Sequence, residues 1–71
     1  METIKPFAVV ALLGDMPERG LRRGQVGTVV EPLTPGVFEV EFRDNQGRTY
    51  ATLALRSDQV MLLHHDMAVV A

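Results

Sequence analysis

The chain contains no cysteine and no tryptophan, and only one tyrosine and three phenylalanines. Without cysteine it has no disulfides, no thiolate chemistry and no cysteine-ligated zinc, the usual staples of small domains. Stability therefore rests on packing, within the chain or between chains. Positive charge is also short: seven Lys and Arg stand against nine Asp and Glu, for a formal net charge of -2. No global field attracts nucleic acid or an anionic membrane. Long hydrophobic runs are missing too. The longest, Phe7 to Leu13, falls far below the roughly 20 residues needed to span a bilayer. Glu2 near the start, Lys5 as the lone early cation and Gly14-Asp15 closing the run do not make a signal peptide. The expectation is a cytoplasmic protein with no membrane partner.

What remains is 71 residues, 46% hydrophobic and 23% charged, an ordinary globular composition and enough for one domain. Apolar residues come in short blocks punctuated by Gly, Pro and Asp/Asn, with a period nearer two than 3.6. Phe7 to Leu13 reads as a first strand. Gly14 to Gly20 is a loop, and Gly24 and Gly27 mark a turn followed by a bulge or sharp bend at the start of a second strand, which Pro32 stops after Glu31. Val37 to Arg43 alternates cleanly, with Phe38, Val40 and Phe42 on one face and Glu39 and Glu41 on the other. Asp44-Asn45-Gln46-Gly47 makes a hairpin connection, and Arg48 to Leu55 returns with Ala51, Leu53 and Leu55 inward. A polar turn, Arg56 to Gln59, precedes a last strand at Val60 to Leu63. Six Gly and four Pro, scattered throughout, argue against a helical bundle.

The reading is all-β: a small, strongly bent five-stranded barrel over residues 1–63, with a tail at 64–71 that is an extra strand, a short helix or a frayed end. Its expected core is Phe7, Val9, Leu12, Leu21, Val26, Val29, Phe38, Val40, Phe42, Ala51, Leu53, Val60 and Leu62.

The segment Leu21-Arg22-Arg23-Gly24-Gln25-Val26-Gly27-Thr28-Val29-Val30 resembles the second-strand signature of SH3-like barrels of the KOW kind. With the apolar start, Phe38-Glu39-Val40-Glu41-Phe42, Asn45-Gln46-Gly47-Arg48-Thr49-Tyr50, Leu53-Ala54-Leu55 and Val60-Met61-Leu62-Leu63, the chain is similar to the bacterial family called domain of unknown function 4926. The resemblance covers all but about the last eight residues. It implies a five-stranded SH3-like barrel and carries over no catalytic or binding residues.

Candidate chemistry is thin. His64-His65-Asp66 supplies too few convergent ligands for a tetrahedral metal site, and neighbouring side chains of an extended chain diverge. Glu39 and Glu41 share one wet strand face about 7 Å apart. They lack the cleft and unequal surroundings that split two carboxylates into acid and base, and Arg48 or another cation is expected across the sheet from them. Asp15 and Asp58 suit turns or caps. No nucleophile triad, phosphate-binding loop or dinucleotide fingerprint is present. The expectation is a non-enzymatic module without cofactor, metal or catalytic residues.

A basic patch of Arg19, Arg22, Arg23 and Arg48 would make an RNA-binding module the alternative, although Glu18, Glu31, Glu39, Glu41 and Asp44 interleave with it. An antitoxin or accessory subunit of a larger complex is a further alternative, on size and analogy alone. The stronger signal is an apolar surplus that also includes Val10, Leu13, Val30, Leu33, Leu55 and Met61. More apolar side chains exist than a small barrel can enclose, so self-association or docking to a protein partner is expected. Leu63, Met67, Val69 and Val70 are the candidate interface residues.

Overall fold

The computed structural model describes residues 4–64. Five strands form one antiparallel sheet: β1 (Val9–Leu12), β2 (Val26–Thr34), β3 (Val37–Arg43), β4 (Thr49–Arg56) and β5 (Val60–Leu63), in the order β4-β3-β2-β1-β5. Sequence neighbours pair along β1 to β4, as hairpin-rich sequences do. The exception is β5, which pairs with β1.

That exception bends the sheet. In a flat sheet β4 and β5 would lie four strand spacings apart, about 19 Å. A single 3-10 turn, Ser57–Gln59, joins them, and at about 2 Å rise per residue the link from Arg56 to Val60 reaches only about 8 Å. The two edges can be joined this way only if the sheet curls on itself. The order and the curl are compatible with an SH3-like barrel.

The curl encloses Val10, Leu12, Leu21, Val29, Val40, Phe42, Leu53, Leu55 and Val60. Cross-strand pairs build this core directly: Val29 faces Val40, Val40 faces Leu53, and Phe42 faces Ala51. Phe42, entirely inaccessible, lies over Gly27. A Cβ on that glycine would meet Val40 Cγ1 at 2.7 Å and Phe42 Cε2 at 2.9 Å. Gly27 thus makes room for two side chains in a regular part of β2. The bulge expected there occurs elsewhere, as register shifts between Val29 and Glu31 and between Pro32 and Thr34. Those shifts explain a second correction. β2 does not stop after Glu31 but runs through Pro32 to Thr34, because an irregular ladder accommodates a residue with no N–H.

Three expected core residues are outside. Phe7 is 81% exposed, Val26 is 51% exposed and Val9 lies on the outer face, whereas Val10 and Leu55, expected among the surplus, are fully buried. In an uninterrupted apolar run the parity that faces the core is set by register, and here the even positions of β1 face inward. The loop between β1 and β2 is anchored by Leu21, buried in the core, which bridges Met16. It is tied further by Gly24 N–H to the Leu12 carbonyl at 2.8 Å and by Arg23 N–H to Asp15 Oδ1 at 2.9 Å. Asp15 is therefore the turn residue expected of it.

Candidate interaction surface

Antiparallel sheets usually bury one face and wet the other. The outer face of this sheet splits in two. On β3 and β4 it carries Glu39, Glu41, Arg43, Thr52 and Arg56, as alternation dictates. Arg43 Nε pairs with Glu41 Oε1 at 2.6 Å along the same strand, so the partner of Glu41 is not the Arg48 expected across the sheet.

On β1, on β5 and on β2 as far as Thr28 the outer positions carry no charge; farther along β2, Glu31 is exposed and pairs in register with Glu39 of the charged half. Register places Val26, Ala11 and Met61 in one row and Thr28, Val9 and Leu63 in the next. Ala11 is buried yet lies outside the core cluster, shielded by its neighbours Val26 and Met61. The row continues to Leu13, whose N–H donates to the Gln59 carbonyl at 2.9 Å. At the other end Phe7 donates its N–H to the Val29 carbonyl at 2.7 Å, beside Val30. Of the seven large exposed apolar residues, Val30 lies at the first register shift of β2, Phe7 and Leu13 flank β1 at its two ends, and register places Val26 and Met61 on this half. Leu63, expected at an interface, is here and half-buried. Met67, Val69 and Val70 lie outside the described residues.

The most exposed of these side chains is also the most constrained. Ala8 N–H donates to the Lys5 carbonyl at 3.0 Å, closing a turn over Lys5-Pro6-Phe7-Ala8. Phe7 has φ +69°. Proline at the second position and positive φ at the third describe a type II turn, in which glycine is the usual third residue. A phenylalanine there is backbone-strained, by about 1–2 kcal/mol relative to glycine. Sequence reading missed it because nothing in Pro6-Phe7 signals a left-handed residue.

The basic residues are partly gathered. Arg19 Nη2 donates to the Thr52 carbonyl at 3.3 Å, and Gln25 Nε2 donates to the Tyr50 hydroxyl at 2.7 Å, so the loop holding Arg22 and Arg23 lies along β4. Arg48 belongs to the β3–β4 hairpin, where its guanidinium contacts Gln46 Oε1 at 2.6 Å and Asp44 Oδ2 at 3.4 Å. Asp44 organises that hairpin: its Oδ1 accepts the Gln46 and Arg48 N–H groups at 2.9 and 3.0 Å. The Arg48 backbone bond foremost, then that of Gln46 and the Arg48 side chain, lower its carboxyl pKa from the usual aspartate range. Among the described residues no three His, Cys, Asp or Glu groups cluster as metal ligands, and no helix is long and apolar enough to cross a membrane. His65 and Asp66 lie outside the described residues.

A shallow cavity of about 280 Å³ opens at the Leu13 end of β1, between residues 12–16 and Asp58-Gln59. Asp58 on its rim is paired with Arg56 at 3.0 Å. Neither a curated protein nor a solved structure matches the chain. A family model matches residues 7–62, which hold β1 to β4 and all but the last residue of β5, and the chain belongs to the family described as domain of unknown function (DUF4926).

Proposed function

We propose that this chain is a non-enzymatic protein-interaction module whose binding surface is the uncharged part of the sheet's outer face, on β1, on β5 and on β2 as far as Thr28. The observation that carries this reading is the division of one sheet face. Alternation supplies charge on β3 and β4, and the same alternation on the other three strands supplies Val9, Val26, Met61 and Leu63. Apolar residues scattered singly over a surface are ordinary, but a charge-free set brought together by register marks contact with another macromolecule. The polar sites give no comparable support to catalysis: Glu41, Asp44 and Asp58 pair with arginines on their own strand or turn, and Asp15 accepts the Arg23 N–H.

Site-specific photo-crosslinking in the source cell tests the reading. A benzophenone side chain at position 61, on the apolar half, should give protein adducts, while one at position 54, opposite Glu39 on the charged half, should not. Equal labelling at both positions, or none at 61, would sink the reading.

The arginine loop supports a second reading, an RNA-binding module. Its specific support is that Gln25, in the loop that carries Arg22 and Arg23, donates to the hydroxyl of Tyr50, an exposed aromatic suited to base stacking. Binding to generic single-stranded RNA should then weaken with salt and vanish in R22A/R23A; no binding at low salt ends it.

A further inference from the structure

The apolar half-face has a shape as well as a composition. At one end of β1 stands Phe7, almost fully exposed and held outward by a strained backbone. At the other end, beside Leu13, is the cavity of about 280 Å³. Phe7 and Leu13 lie three residues either side of Val10, at opposite ends of the same strand, about 20 Å apart. Between them the outer positions of β1, of β5 and of β2 as far as Thr28 carry no charge, so two copies of that patch laid on each other bring no like charges together; Glu31 of β2 and the Asp15 and Asp58 that line the cavity lie outside it.

We propose that the face is occupied by a second copy of this chain, in a two-fold dimer centred near Val10 that seats Phe7 of each copy in the Leu13-end cavity of the other. This rests on the reading of the face as a protein interface. A two-fold contact needs a patch that complements itself, with every knob matched by a hole at the position the axis generates. Antiparallel stacking of β1 on its copy meets that condition, and the cavity volume exceeds that of a phenyl ring. Exposed aromatics filling pockets are the usual anchors of such contacts. A face about 20 Å by about 14 Å, doubled and joined by two inserted rings, buries on the order of 1,000 Å², at the low end for specific interfaces. The dimer is therefore expected to dissociate in the micromolar range.

Phe7 also offers a clean test. Glycine is the residue its turn favours, so Phe7→Gly removes the knob without endangering the fold. Sedimentation equilibrium of the full chain should show a 7.9 kDa monomer passing to a dimer as concentration rises. Phe7→Gly should weaken the dimer by roughly tenfold or more. Leu13→Arg, at the cavity end, should do the same, and Leu33→Glu, exposed but off the face, should leave it unchanged. A chain monomeric to about 1 mM overturns the proposal, as does a dimer whose dissociation constant moves less than about twofold in Phe7→Gly. So does a dimer lost in Met67→Glu/Val69→Glu but kept in Phe7→Gly. A monomer that still gives adducts of other mass from position 61 overturns the dimer and leaves the interface reading standing. A monomer with no adducts from position 61 removes both.

Discussion

Replacing Gly27 by alanine adds one methyl group at the tightest point of the core. The new Cβ would lie 2.7 Å from Val40 Cγ1, 2.9 Å from Phe42 Cε2 and 3.0 Å from Phe42 Cδ2. Real Cβ contacts do not occur at such distances, so Val40 or Phe42 must move, and both are buried with no room to turn. Overpacking of this kind costs about 1–3 kcal/mol. Alanine returns about 0.4–1 kcal/mol by restricting the unfolded chain. The net is a destabilisation of about 1–2 kcal/mol, or a fall in melting temperature of roughly 4–16 °C for a domain of this size. Urea denaturation followed by circular dichroism measures it. Gly14→Ala, where a Cβ meets nothing within 4 Å, is the control and should be neutral. Trimming Val40 to alanine in the G27A background should recover part of the loss, so the two changes together destabilise by less than their sum. A G27A protein as stable as the parent, within about 0.5 kcal/mol, would refute the packing attributed to Val40 and Phe42.

Three further outcomes follow from the same structure. Asp44 holds the β3–β4 hairpin as an ionised carboxylate with a lowered pKa, so its contribution is complete above the usual aspartate range and fades as the pH falls through the lowered value. D44N should melt below the parent at neutral pH and converge with it in acid; a gap independent of pH would contradict this. Phe42→Ala, at the centre of the core, should cost about 3–5 kcal/mol and leave the chain largely unfolded at ambient temperature by near-ultraviolet and far-ultraviolet circular dichroism. The ion pair of Arg43 and Glu41 is exposed on the arginine side, so a double-mutant cycle should return a coupling no larger than about 1 kcal/mol, diminishing with salt.

Most of the architecture is legible in the residues. The strict alternation of Val37 to Arg43 fixes which face is wet, Asp44 to Gly47 spells a turn, and the polar Arg56 to Gln59 separates β4 from β5. The harder part is β1. Phe7 to Leu13 is apolar at both parities, so sequence alone does not say which side chains face inward, and Phe7, Val9 and Val26 lie outside the core that the pattern predicts for them. The same ambiguity hid the apolar outer patch, since a strand apolar on both faces reads as a doubly buried one until its outer side is seen to be uncovered. Only Leu63 of the expected interface residues lies on the observed face within the described residues. Pro32 misleads differently: its missing N–H suggests a strand end, but the register shifts on β2 let the strand continue. The strain at Phe7 left no trace in the sequence, because the residue that normally marks a left-handed turn position is glycine.

The most direct measurement of the central claim is a dilution series of amide spectra by nuclear magnetic resonance, from about 20 µM to about 1 mM, bracketing a micromolar dissociation constant. The expected result is concentration-dependent shifts confined to Phe7 to Leu13, to Val26 to Val30 and to β5, with β3 and β4 unmoved. Spectra unchanged over the whole range, or shifts centred on Glu39, Glu41 and Thr52, would contradict it.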